Sequence, residues 1–210
     1  MEVLGLRVGL LSTNCYIIWD TSNQAVVVDP GGHAEKIQHE IQKRGLSLQM
    51  VINTHGHVDH IAANAELVAG ANAKLAIHRL DSVYLNDDKL NMAGHFHIKL
   101  QPLQPDVLLE DGDELTVGTM RFRVIHTPGH TPGGICLQVE DALFSGDTLF
   151  SGSVGRTDLP GGDQDQLLRS LREKIVPLPD TLTVYPGHDR TTVLGQEKLR
   201  NPWLKRSMQP

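Results

Sequence analysis

The chain has 210 residues, 40% of them hydrophobic and 21% charged, enough to bury a full-sized core and too apolar for a disordered tail. Its 19 Lys and Arg stand against 25 Asp and Glu, a net charge of -6 with no basic run, which argues against a nucleic-acid partner because such affinity rests on clustered cations. No stretch reaches the ~20 apolar residues that span a bilayer, so no membrane association is expected. Cys15 and Cys136 are too few for a disulfide framework, and the start MEVLGLRVGLLSTNCY lacks the charged and uninterrupted apolar regions of a secretion signal; a reduced, cytoplasmic setting is the expectation.

In chain order, short β-branched runs occur at 15–19 (CYIIW), 25–29 (AVVVD), 50–54 (MVINT) and 121–126 (RFRVIH), each closed by a polar or turn-forming residue or lying next to one. These predict strands. Residues 34–44 carry Ile37 and Ile41 four apart, and 165–175 carry Leu167, Leu168, Leu171 and Ile175 at helical spacing, which predicts helices. Residues 107–146 read as VLL, ELTV, MRFRVI, GICLQV and ALFS separated by tight turns, the pattern of an antiparallel meander. A mixed sheet with helices on its outer faces follows. The stretch 86–106 is long and irregular, and a loop of that length is often functional. One domain over 1–210 is expected, made of two similar halves, roughly 1–106 and 107–210, because no linker or fixed-period repeat interrupts the chain.

Among the 11 histidines, three crowd one segment: Thr54-His55-Gly56-His57-Val58-Asp59-His60 places three imidazoles and a carboxylate at the end of an apolar strand. Burying such a set without a partner is very costly. Two histidines flanking a glycine can converge on one borderline metal ion when the backbone turns, and α/β sites are built at strand ends. His130, Asp147 and His188 each follow an apolar run and adjoin a glycine. Together they read as one metal site assembled from both halves.

The pattern His-x-His-x-Asp-His followed by a distant His, Asp and His resembles the metallo-β-lactamase superfamily over nearly the whole chain. The resemblance implies an αββα sandwich of two mixed sheets flanked by helices. It implies one divalent ion on His55, His57 and His130, a second on Asp59, His60 and His188, and Asp147 between them. Zinc is the expected metal, with iron or manganese as alternatives. The segments LFSGDTLFSGSVGRTDLPGGD and TTVLGQEKLRNPWL, together with Asn64, are similar to small glyoxalase II-like thioester hydrolases. The implied activity is hydrolysis of a small acyl thioester such as S-lactoylglutathione by a metal-bridging hydroxide, with Asp59 and Asp147 as the catalytic carboxylates. The chemistry is self-consistent: paired ions acidify water and polarise a carbonyl, they take up the oxyanion, and a thiolate leaves with little protonation.

Asp29 resembles the superfamily aspartate that orients a metal ligand, a role that sets imidazole position and tautomer; it also suits a turn in Asp-Pro-Gly-Gly. Arg156 is placed to bind a substrate carboxylate bidentately, or to form an ion pair with Asp158 or Asp163. His95 and His97 read as a solvated loop or an entrance lining. His33, His39, His78 and His126 carry no ligand pattern, and the two cysteines read as small buried hydrophobes. Only a short tail follows His188, whereas full-length glyoxalase II carries a basic helical extension for glutathione. Pro-Gly-His-Asp and Gly-Arg-Thr-Asp also resemble persulfide dioxygenases of the same superfamily, which would use one iron on His55, His130 and Asp147. A lactonase or other metallohydrolase and a non-catalytic metal-binding protein complete the alternatives. The expected partner is a small molecule.

Overall fold

A computed structural model describes residues 1–208. Its strands fall into two six-stranded sheets, each collected almost entirely from one half of the chain. The first holds β1 (Glu2–Val8), β2 (Thr13–Trp19), β3 (Gln24–Val28), β4 (Ser47–Ile52), β5 (Lys74–His78) and β6 (Val107–Leu109) in chain order. β1 to β3 run antiparallel, and β3 to β6 run parallel. The second holds β7 (Glu114–Val117), β8 (Met120–His126), β9 (Ile135–Val139), β10 (Ala142–Gly146), β11 (Thr183–Pro186) and β12 (Thr192–Val193), antiparallel except for the β10–β11 pair.

Strands such as β3, whose sequence is nearly all valine and alanine, lack alternation because both faces are covered. Val26 and Val28 point between the sheets with Tyr16, Ile52, Phe122, Leu137 and Phe144. Val27, Ile17 and Leu75 point outward under Ile37 and Ile41 of α1 (Ala34–Lys43) and Leu67 of α3 (Asn64–Ala71). On the far side, Leu167 of α5 (Gln164–Ser170), Leu194 of α6 (Leu194–Arg200) and Leu204 of α7 (Pro202–Ser207) cover Cys136, Leu143 and Val184. The result is the expected arrangement of two mixed sheets between helical layers. No helix among the described residues is long and apolar enough to cross a membrane.

One expectation is corrected. VLL at 107–109 does not open the meander but pairs parallel with β5 in the first sheet, where the Asp106 carboxylate accepts the Leu75 amide at 2.8 Å. The first sheet therefore draws chain up to Leu109 rather than stopping at 106, and the meander starts at Glu114. Three residues are too few to show which partner they pair with. The helix expected at 165–175 is α5 for its first part and continues through a π-helical turn over Leu171–Ile175. Within 86–106, a single short helix, α4 (Ala93–Phe96), lies between Met92 and His97, both left-handed.

Candidate metal centre

The parallel strands end at one edge of the sandwich, and the turns beyond them carry the polar side chains. His55 and His57 follow β4. Asp59 and His60 sit on the one-turn helix α2 (Val58–Ile61), His130 lies between β8 and β9, Asp147 directly follows β10, and His188 follows β11. The structure brings all seven side chains together. Three groups of donor atoms each fall within 4.8 Å of one another: His55 with His57 and His130, Asp59 with His60 and His188, and His55 with His60 and Asp147. The first two are the two expected triads, and the third joins them.

Apart from His57 Nδ1 and His130 Nε2 at 2.9 Å, the contacts across the cluster lie at or beyond the long end of the hydrogen-bond range. His60 Nε2 lies 3.5 Å from Asp59 Oδ2 and 3.4 Å from Asp147 Oδ1, and His188 Nε2 lies 3.2 Å from Asp59 Oδ2. Asp147 Oδ2 lies 3.5 Å from His130 Nε2 and 3.7 Å from His188 Nε2, so this carboxylate faces both triads. Two ligands of one tetrahedral zinc, each about 2.0–2.1 Å from it, stand about 3.4 Å apart. Among the described residues, four buried side-chain atoms have no hydrogen-bond partner, and all are here: Nε2 of His55, His57 and His60, and Oδ1 of Asp147. Unpaired, each costs about 1–3 kcal/mol. Five imidazoles and two carboxylates converging on such atoms fit a pair of divalent cations.

Surrounding groups set which nitrogen faces inward. Asp29, at the end of β3, accepts His60 Nδ1 at 2.9 Å, the Thr54 amide at 2.7 Å and Thr54 Oγ1 at 2.6 Å. With Nδ1 held by Asp29, Nε2 is the His60 nitrogen turned toward the cluster. His130 Nδ1 donates to the Arg156 carbonyl at 2.6 Å, which leaves Nε2 turned the same way. Thr13 Oγ1 donates to Asp59 Oδ2 at 2.8 Å. Asn14 donates to the carbonyls of Pro186 and Asp189 and so anchors the turn bearing His188. Gly187 has no room for a side chain: a Cβ would strike Asp147 Oδ1 and His60 Cε1.

Burial keeps the His55 and His57 rings neutral, reinforced by neighbouring imidazoles, and His57 is pushed down to about 3. Burial also disfavours charge on His60, but Asp59, Asp29 and Asp147 outweigh it and raise the ring well above the usual range. Asp59 and Asp147 resist the same burial because His60 and the other imidazoles hold them below the usual carboxylate range. The centre is therefore built for positive charge among its carboxylates, which divalent ions would supply.

The cluster floors a cleft of about 630 Å³ whose walls include Leu11, Met92, Phe96, Phe150 and Leu159. Arg156 lines it, but its guanidinium forks onto Asp158 at 2.6 and 2.7 Å. Of its two expected readings, the ion pair is the one formed, and its carbonyl is the group that serves the centre. His95 is exposed and lines the cleft, and His97 is exposed. His33 Nδ1 accepts the Gly9 amide at 3.1 Å. His126 stacks on His78 with centroids 4.0 Å apart. Asp189, next to His188, has a left-handed backbone with φ 67°. Thr13, Asn14 and Thr54 were missed from sequence, and only Thr54, beside His55, carried a signal.

A family model described as the metallo-beta-lactamase superfamily matches residues 8–188. The hydroxyacylglutathione hydrolase GloC of Haemophilus influenzae is 34% identical over 208 residues, covering 97% of this chain and 98% of the relative. The crystal structure of BLEG-1, a B3 metallo-beta-lactamase, superposes with a TM-score of 0.93 at 37% identity, covering 97% of this chain and 99% of that one. The structure of TTHA1623 in a di-iron-bound form superposes with a TM-score of 0.85 at 35% identity, covering 95% and 99%. The chain belongs to the metallo-beta-lactamase superfamily.

Proposed function

We propose that the chain is a dinuclear metal-dependent hydrolase of a small acyl thioester, of which S-lactoylglutathione is the representative. The observation that carries this reading is the set of four buried, unpartnered donor atoms, of which those of His57 and Asp147 belong to residues lining a substrate-sized cleft. The thioester class draws support from the Haemophilus influenzae relative, named a hydroxyacylglutathione hydrolase, and the paired ions from the di-iron relative. His55, His57 and His130 would hold one ion, and Asp59, His60 and His188 the other, with Asp147 between. When bound, such a pair acidifies water and polarises an acyl carbonyl.

The chain's own residues prepare that chemistry. Asp29 and the Arg156 carbonyl hold the outer nitrogens of His60 and His130, so the inner nitrogens are the ones turned to ligate. Thr13 occupies one lone pair of Asp59 Oδ2 and fixes the carboxylate's direction. Met92, Phe96, Phe150 and Leu159 line the cleft with apolar surface that displaces water around the leaving-thiol arm. A thiolate leaving group leaves with little protonation, so the reading requires no catalytic proton donor among the cleft residues.

The test is S-lactoylglutathione hydrolysis, followed as loss of thioester absorbance, with zinc-, iron- and manganese-loaded protein and a chelator-stripped control. Metal-dependent loss is expected. No loss with any metal overturns the thioester reading, and oxygen uptake with glutathione persulfide on the iron-loaded protein then tests the dioxygenase.

A further inference from the structure

Asp81 supplies no atom to the seven-donor cluster, yet its side chain is completely buried. It lies on the 3-10 helix Arg79–Asn86, just past β5. Oδ2 accepts the Gly56 amide at 2.9 Å and Thr131 Oγ1 at 2.7 Å, and Oδ1 accepts the Gly133 amide at 2.5 Å. Gly56 separates His55 from His57, and Thr131 directly follows His130. One carboxylate thus ties together the two loops that carry one complete triad.

The loops are keyed to it sterically as well. A Cβ on Gly133 would lie 2.5 Å from the Asp81 amide nitrogen and 2.6 Å from Oδ1, and one on Gly56 would strike the Tyr84 side chain of the same helix. Tyr84 in turn donates its hydroxyl to the Pro160 carbonyl at 3.0 Å. Asp81 accepts hydrogen bonds from two amides and a hydroxyl. A buried carboxylate is an expensive way to fill space, and an apolar side chain of similar volume often does as well or better. What the carboxylate adds is direction: two fixed oxygens that accept from two loops at once. Across the join, His57 Nδ1 and His130 Nε2 stand 2.9 Å apart. The other triad is held separately, by Thr13 on Asp59, Asp29 on His60 and Asn14 on the His188 turn.

We propose that Asp81 is the positioning residue of the His55–His57–His130 triad, setting the register of its two loops while leaving Asp59, His60 and His188 to other supports. The proposal rests on reading the cluster as a two-ion site. In D81N one acceptor oxygen becomes an amide donor, and whichever way the amide turns, it meets an N–H or hydroxyl that needs an acceptor. Thr131→Val removes one donor and keeps the side-chain volume.

Zinc titration against a chromophoric chelator tests this in the intact chain, D81N, Thr131→Val, and D81N combined with His188→Ala, each confirmed folded by circular dichroism. The unaltered chain should take up two ions. D81N should keep one at unchanged affinity and bind the other about 10–100-fold more weakly, the usual effect of losing a group that supports a ligand. Thr131→Val should show a smaller loss at the same ion. In the His188→Ala background, D81N should weaken the remaining ion by the same factor. Unchanged affinity at both ions, or equal loss at both, overturns the proposal. If D81N does not fold, Thr131→Val decides by the same criteria. An unaltered chain that takes up no zinc instead refutes the metal reading beneath it.

Discussion

Asp29→Asn isolates what Asp29 contributes by charge and lone-pair geometry. The residue sits at φ 53°, a left-handed backbone that Asn tolerates, so the change adds no strain. The native carboxylate accepts three hydrogen bonds, two from Thr54 and one from His60 Nδ1. The amide retains one acceptor, which can keep the Thr54 amide, and turns an NH₂ toward the Thr54 hydroxyl and His60. The hydroxyl can rotate to accept; the imidazole can accept only by moving its proton to Nε2. One to two charge-assisted bonds are lost, about 2–4 kcal/mol, which in a chain of this size lowers the metal-free Tm by about 5–15 °C. The moved proton then occupies the nitrogen that faces Asp59 and Asp147. Zinc affinity should fall about 10–100-fold. Calorimetric melting of chelator-treated protein and chelator competition measure the two effects independently. An unchanged zinc affinity would refute the argument that Asp29 sets the His60 tautomer, whatever happens to Tm.

Asp147→Ala removes the carboxylate that faces both triads, so metal analysis should show loss of zinc and thioester turnover should vanish; a fully active variant sinks the site. Arg156→Gln breaks an exposed ion pair with Asp158, so the melting temperature should be essentially unchanged and kcat/KM should change by about threefold or less. A kcat/KM loss of about tenfold or more would return Arg156 to substrate binding. Cys15 and Cys136 are buried with thiols pushed upward, Cys136 to about 11; a thiol-specific chromogenic reagent should label them only after denaturation, and Cys→Ala variants should keep full turnover. Burial and the stacked His126, reinforced by Arg79 and opposed by Glu110 and Asp111, hold His78 down to about 4 against a usual 6.5. The unfolded chain takes up that proton first, so stability falls as pH drops from 6.5 toward 4. His78→Asn keeps an acceptor for the Leu80 amide without titrating. Urea unfolding of chelator-treated protein at both ends of that range should show wild type losing on the order of 2 kcal/mol more than the variant, and parallel curves would refute it.

What could be read from sequence depended on whether an interaction leaves a mark on residue type at short range. His55, His57, Asp59 and His60 were legible because four donors share six residues beside an apolar strand, and His130, Asp147 and His188 because each pairs a donor with a glycine at a strand end. The strands of the two-faced cores were legible as runs of valine and isoleucine. β6 was misplaced because three residues do not say whether their neighbour is β5 or β7. The His78–His126 stack joins positions 48 apart in sequence, and each histidine alone looks unremarkable. Asp81 is the extreme case. It accepts from positions 25, 50 and 52 residues away, and two of those donors are backbone amides. Every residue but proline has a backbone amide, so the group that selects this pairing is written nowhere in the side chains. What sequence does record is the room such contacts need. Gly56, between His55 and His57, is small because the Tyr84 side chain presses against it, and Gly133 is small because Asp81 does; these glycines are the trace in sequence of the Arg79–Asn86 helix packing on the two histidine-bearing loops.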